Sequence, residues 1–349
     1  MRAGVGGGYA YLPIVVLGGV AGYIFMEMAA RLTIVSGESL GQLLRRRGGG
    51  AVPAVVFTAV AFGCAAYQAG NLLGGLAGLE LLLPTTRYWT IGLALVVALL
   101  LWGGSTERVG RVMTFVVLAM VLLFFIGAGQ LLLGSSAVAA PRQVSADVLL
   151  AVLGTTIVPY NFFLAAGLGE ASDLGSMRRG LGLSFGLGVL ITACIVVVGT
   201  ATVSFSSFGD VATTLTGAIG TSGRWVLGLG LFAAGLSSAT TAPLAAAVAG
   251  RELLGIDRGG PWFRLIWLLV LVSGLMVALL DLEIVGVIVL AQVVNGLLLP
   301  FIALLVMVLA NRSELLGNHT NRWWQNLLGG LVLLFIFYKA GEFFYDLLV

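Results

Sequence analysis

Charge is the scarcest property of this sequence: 9% of its 349 residues are Asp, Glu, Lys or Arg, against about 25% in an ordinary soluble domain. So few charges cannot build a water-facing surface, which excludes a soluble globular protein. Histidine is nearly missing, with His319 alone, and cysteine is limited to Cys64 and Cys194. That excludes a zinc site built on His/Cys spacing. Each cysteine lies inside an apolar run, where a thiol packs as a small hydrophobe, so no disulfide is expected. The sequence also has no Walker-type phosphate loop. An ATP-driven pump or a membrane hydrolase would need groups that this chain lacks.

What the chain has instead is apolar length. Hydrophobic residues make up 59%, mean hydropathy is +1.08, and glycine contributes 51 residues. Apolar stretches at or above the roughly 20 residues needed to cross the hydrocarbon core fall near 9–33, 51–79, 87–104, 109–134, 146–172, 181–204, 223–250, 261–280, 283–310 and 324–348. In lipid, backbone groups must be satisfied within the segment, so these are expected to be helices, packed through small residues. The expected fold class is an all-α integral membrane bundle of about ten helices. No soluble domain fits between them, so 1–349 reads as one membrane domain, and only 205–222 has room for a small external structure.

Arginine placement predicts orientation, because short cytoplasmic loops collect basic residues. Alternate connections hold Arg45, Arg46 and Arg47; Arg108 and Arg111; Arg178 and Arg179; Arg251, Arg258 and Arg264; and Arg312 and Arg322. The others hold Arg87, Arg142 and Arg224. The arginine-rich loops are therefore expected in the cytoplasm of a multi-pass protein of the cell membrane. Ten crossings would put both ends outside, and the simplest expectation is a further helix upstream of Met1.

Polar residues at membrane depth default to a functional hypothesis. The stretch Leu153-Gly154-Thr155-Thr156-Ile157-Val158-Pro159-Tyr160-Asn161 centres on a proline, which removes a donor and clashes with the preceding turn. A helix broken there would free carbonyls around Thr155 and Val158 for a cation; a simple kink is the equal alternative. Tyr67, Gln68 and Asn71 lie at comparable depth, as do Ser237, Ser238, Thr240 and Thr241. Those hydroxyls are expected to bond back to their own helix. Gln292 and Asn295, three apart, share a face and read equally as interhelical glue or as solute contacts. Glu27 reads as structural, paired with Arg31 one turn on.

At these residues the chain resembles the natural-resistance-associated macrophage protein (Nramp) superfamily of metal-ion transporters. Glu27-Met28-Ala29-Ala30-Arg31-Leu32 with Ser36-Gly37 is similar to that family's second helix, and Gly154 through Asn161 to its broken sixth helix. Gly235-Leu236-Ser237-Ser238-Ala239-Thr240-Thr241 is similar to its eighth, and Gln292-Val293-Val294 with Leu299-Pro300-Phe301 to its tenth. The resemblance implies a LeuT-type inverted-repeat bundle of eleven helices in the complete protein. Residues 1–8 then look like the remnant of the first helix, after its Asp-Pro-Gly-Asn signature.

The departures from the family pattern carry as much as the matches. Val158 stands where the family has its metal-binding methionine, so the soft thioether is gone. Tyr160 takes the place of a histidine and Tyr67 falls about where a glutamate serves proton movement, which leaves proton coupling without its usual carriers. The expected substrate site is the Thr155 carbonyl, Val158, Gln292 and Asn71, with Thr155, Val158 and Gln292 on the metal. Pro159, Tyr160, Asn161, Tyr67, Gln68 and Asn295 form the break or the pathway. Such an oxygen-rich site suits a hard ion, Mg²⁺ or Mn²⁺. The function implied is a secondary transporter of a divalent cation working by alternating access. A carrier of a small organic solute such as an amino acid is one alternative, and a non-transporting truncated membrane protein the other. The partners implied are the metal ion as substrate and the lipid bilayer, with no nucleic acid and no resident cofactor.

Overall fold

Proline and glycine punctuate the apolar runs and set where each helix begins and ends. A computed structural model describes residues 1–103, 106–133, 148, 152, 156–169, 173–201, 207–257, 259–280 and 282–348, and among these every regular element is helical. A short α1 (Arg2–Gly7) leads through a 3-10 turn (Gly8–Tyr11) into α2 (Leu12–Ser36). Pro13 sits in the first turn of α2, where a missing N–H leaves no bond unmade. Gly37 ends α2 in the left-handed region at φ 67°, its N–H donating to the Thr33 carbonyl at 3.0 Å.

The elements that follow are α3 (Leu40–Gly48), α4 (Val52–Glu80), α5 (Trp89–Gly103), α6 (Thr106–Leu133), α7 (Pro159–Gly169), α8 (Leu174–Thr200), α9 (Phe208–Ile219) and α10 (Ser222–Leu254). After them come α11 (Pro261–Leu279), α12 (Ile284–Ala310), α13 (Ser313–Leu316), a 3-10 turn (Gly317–His319) and α14 (Trp323–Leu348). Six helical segments among the described residues are long and apolar enough to cross a membrane: Ala3–Ser36, Val52–Glu80, Arg108–Leu133, Leu174–Thr200, Ser222–Leu254 and Pro261–Leu279. Leu298–Ala310 and Ser313–His319 reach that length and apolarity only together, bent by 66° at the break between them, and α5 and Trp323–Tyr338 are shorter apolar helices. Of the segment expected near 146–172, only Val148, Val152 and residues 156–169 belong to the described residues.

Two amphipathic helices occupy connections. In α3 a capping box joins Ser39 and Gln42, while Leu40, Leu43 and Leu44 are buried and Arg45 and Arg46 exposed. The stretch 205–222 holds α9, started by a second capping box between Ser207 and Asp210 and packed inward through Val211, Ala212 and Leu215.

The outside of the bundle is apolar, with Leu99, Phe115, Leu183 and Leu334 all about 70% exposed. In water such a surface would aggregate; against acyl chains it is the solvated one. Trp89, Trp102, Trp225, Trp262, Trp323 and Trp324 are exposed near helix ends, where amphipathic rings sit at headgroup level.

Inside, α4 and α10 make the most extensive contact, and it is backbone on backbone. A Cβ placed on Gly235 would stand 2.3 Å from the Gly75 nitrogen and 2.9 Å from the Asn71 oxygen. One on Gly78 would stand 2.4 Å from the Phe232 nitrogen. Glycine is required at this seam because lipid supplies no hydrophobic drive between helices, and close packing must do so instead. Both α11 and α12 also pack on α4, while α2 is flanked by α7 and α8.

Candidate functional site

The helical path ends at Thr156 and resumes at Pro159, leaving Ile157 and Val158 outside regular structure. Pro159 is the first residue of α7, where its ring clashes with nothing upstream. Ile157 and Val158 are buried, at 1% and 5% exposure, in the apolar cluster that also holds Phe25, Cys64, Phe162 and Ala245. The Thr156 hydroxyl donates back to the Val152 carbonyl at 2.7 Å, and the Asn161 N–H caps the Val158 carbonyl at 3.0 Å. The Thr156 carbonyl lies beside α2, where a Cβ on Gly22 would come within 3.3 Å of it. Between the equal readings of kink and break, the structure has a break.

From this point the side chains diverge. Tyr160 points at α4, its ring edge-on to Tyr67 at 6.3 Å between centroids. Tyr67 and Asn71, one turn apart and therefore on one face of α4, line a cavity of about 200 Å³ together with Gly70, Gly74, Gly235, Ser238 and Ile288. Asn161 turns the other way. It lines a second cavity of about 310 Å³ with Thr156, Met26, Phe185 and Thr192, between α2 and α8. The sequence groups Asn161 with Tyr160 and Tyr67, and the structure places it on the opposite side of the break.

Gln68 is fully buried and does not line either cavity. Its side-chain amide donates to the Ala239 carbonyl of α10 at 3.0 Å, and its Oε1 accepts from Asn71 Nδ2 at 3.5 Å. On α11 a Cβ at Gly274 would come within 2.4 Å of Gln68 Cγ. Gln68 thus ties α4, α10 and α11 together and fixes the rotamer of Asn71. Ser237, Thr240 and Thr241 donate to the Ala234, Leu236 and Ser237 carbonyls of their own helix, while Ser238 faces the cavity.

Thr155 lies outside the described residues. Gln292 and Asn295 are on α12, with their side chains outside the described set. Among the described residues no three of His, Cys, Asp and Glu come together as a metal site, so the groups at the first cavity are neutral: an amide, a phenol and a hydroxyl. In a volume of about 200 Å³, at roughly 30 Å³ per water, there is space for a small ion and a few waters.

A second polar centre lies at the end of α2. Glu27 is 2% exposed and accepts from Arg31 Nε at 3.1 Å and from Arg178 Nε of α8 at 3.0 Å. Arg31, equally buried, also donates to the His319 carbonyl and, at 2.7 Å, to Asn321 Oδ1. The Glu27–Arg31 pair is legible from its spacing. Arg178, 151 residues away in sequence, is not, because nothing local links an arginine in the first turns of α8 to a buried carboxylate on α2.

A sequence profile described as natural resistance-associated macrophage protein-like matches residues 1–346. The divalent metal cation transporter MntH of Nostoc sp. is 25% identical over 365 aligned residues, covering 94% of this chain and 82% of that protein. The crystal structure of the Eremococcus coleocola manganese transporter, in complex with an aromatic bis-isothiourea substituted compound, superposes with a TM-score of 0.79 at 19% identity over 97% of this chain and 80% of that one. MhsT in complex with L-phenylalanine superposes at 0.60 with 13% identity, over 97% and 92% of the two chains. The helices therefore form a LeuT-type transporter bundle.

Proposed function

The chain belongs to the Nramp family, and on that premise we propose that it is a secondary transporter, not an enzyme, that carries a divalent metal cation across the membrane by alternating access. The observation that carries this reading is the neutral, oxygen-bearing cavity beside a helix broken at Ile157 and Val158. Asn71 gives an amide N–H to Gln68 Oε1, which leaves its Oδ1 as a ligand for a cation in that cavity. The remaining ligands in this reading are the Thr155 carbonyl, the second lone pair of the Val158 carbonyl and Gln292. Oxygen donors with no thioether favour hard ions such as Mn²⁺ and Mg²⁺ over softer ones.

Neutral ligands also suit a cargo. A carboxylate-rich cage would hold the ion tightly, whereas a transporter must release it on the far side. Pockets for organic solutes usually run from about 300 to 1,000 Å³, so a cavity of about 200 Å³ supports an ion over an amino acid. In this reading the arginine-rich loops face the cytoplasm, following the bias of short basic loops.

The test is uptake into proteoliposomes of Mn²⁺, Mg²⁺ and a panel of amino acids, with a pH dye inside. Saturable metal uptake without a dye response is the expected result. Amino-acid uptake without metal uptake would overturn the substrate class, and acidification in step with metal entry would show that protons follow despite Tyr67 and Tyr160.

A further inference from the structure

We propose that the cleft where the end of α2 meets α8 and the start of α14, lined by one arginine from each, carries a binding site for the headgroup of an anionic phospholipid. The cleft is a cavity of about 430 Å³ into which Glu27, Arg31, Arg178, His319, Arg322 and Trp324 all face. Its lining carries three guanidinium groups and one carboxylate, a surplus of two positive charges from these groups. Glu27 is already shared: it takes Arg31 on one oxygen and Arg178 on the other, with N–O distances of 3.1 and 2.9 Å. No carboxylate among the described residues is paired with Arg322.

The chemistry that completes this set is a phosphate group. Arg178 spends Nε and Nη2 on Glu27, and a guanidinium has five donors in a planar fork, so its other N–H groups remain for a second acceptor. Arg178 has a side-chain exposure of 46% against 2% for Arg31, which makes Arg178 and Arg322 the reachable pair while Arg31 stays inside the protein. Guanidinium groups prefer bidentate contact with phosphate oxygens.

Depth decides the source of the phosphate. Trp324 lines the cleft and Trp323 beside it is 77% exposed. Paired exposed tryptophans at the start of an apolar helix mark the headgroup level of a bilayer, and basic pockets between helices at that level hold acidic lipid headgroups. The wall formed by Tyr23 of α2 is amphipathic in the same sense. Because α2 also flanks α7, which begins at the break, a lipid bound here would brace the element on which the proposed transport site depends.

The test is equilibrium binding of short-chain phosphatidylglycerol and phosphatidylcholine to the purified full chain in uncharged detergent, read by native mass spectrometry. Phosphatidylglycerol is expected to bind about tenfold more tightly, the equivalent of one charge-assisted contact. Arg322→Gln is expected to remove that preference, and Arg46→Gln, on the exposed face of α3, to keep it. Equal binding of the two lipids by the parent protein would overturn the proposal without reference to any variant, as would an unchanged preference in a correctly eluting Arg322→Gln protein. If inorganic phosphate at the same concentration displaced the lipid, the site would be one for free anions and the lipid assignment would fall.

Discussion

Replacing Gly235 by alanine adds one methyl group where the α4 and α10 backbones meet. The new Cβ would lie 2.3 Å from the Gly75 nitrogen and 2.4 Å from its Cα, where ordinary contact begins at 3.4 Å. The obstacle is backbone, which cannot rotate away, so α4 and α10 must separate by about 1 Å. Overpacking of this kind costs about 1–3 kcal/mol. The separation also strikes function, because Gly235 and Asn71 line the same cavity. The assay is the midpoint of denaturant-induced unfolding in mixed micelles, run beside metal uptake. Gly92→Ala, on α5 with nothing within 4 Å of the added carbon, is the matched control. It is expected to hold or slightly raise the midpoint, since alanine is the better helix former. A Gly235→Ala protein as stable and as active as the parent would refute the seam as the determinant of α4–α10 packing.

Removing the carboxylate in Glu27→Gln strands Arg31, which is 2% exposed, and should destabilise by about 3–5 kcal/mol. The double variant Glu27→Gln/Arg31→Gln should recover part of that loss in the same unfolding assay, and additive losses would argue against coupling. Asn71→Leu should lower metal uptake about tenfold or more with expression unchanged, Gln292→Leu should weaken it as well, and Ser238→Ala should matter less; parental uptake in the first two would misplace the site. Asp173 caps the exposed start of α8, and hydrogen bonds from the Ser176 side chain and amide hold its carboxyl below the usual carboxylate range. A depressed folded-state value stabilises above the unfolded pKa near 4 and loses that contribution as pH falls through the folded value. Amide protection factors at Gly175 and Ser176, corrected for the intrinsic pH dependence of exchange, should therefore fall on acidification in the parent, and should be flatter with pH in Asp173→Asn.

Much of the architecture is legible in the sequence because membrane helices are written in long apolar runs, and an interruption at Pro159 is legible because a proline falls among polar residues, although kink and break read alike there. What could not be read depends on rotation about helix axes. Tyr160 and Asn161 are neighbours in sequence, yet one faces α4 and the other the α2–α8 cavity; no periodicity in a segment interrupted by proline decides which. Gln68 looked like a pathway residue because a buried amide is costly. Its role as a tie between α4, α10 and α11 needed Ala239 and Gly274 to be brought to it. The helix α3 was missed for a different reason: nine residues with a run of arginines have the composition of a loop, and only the Ser39–Gln42 box betrays the turn.

The glycine seam has a genetic consequence. Glycine is the smallest residue, so every missense change in its codon enlarges the side chain, and at Gly78 and Gly235 the space for any enlargement is already filled by the neighbouring backbone. No sequence of single base changes can walk through those positions by way of a tolerated intermediate. Lipid-facing leucines such as Leu99 and Leu183 can exchange for other apolar residues one base at a time. Descendants of this gene should therefore vary on the outside of the barrel of helices and remain fixed along one thin line at its centre.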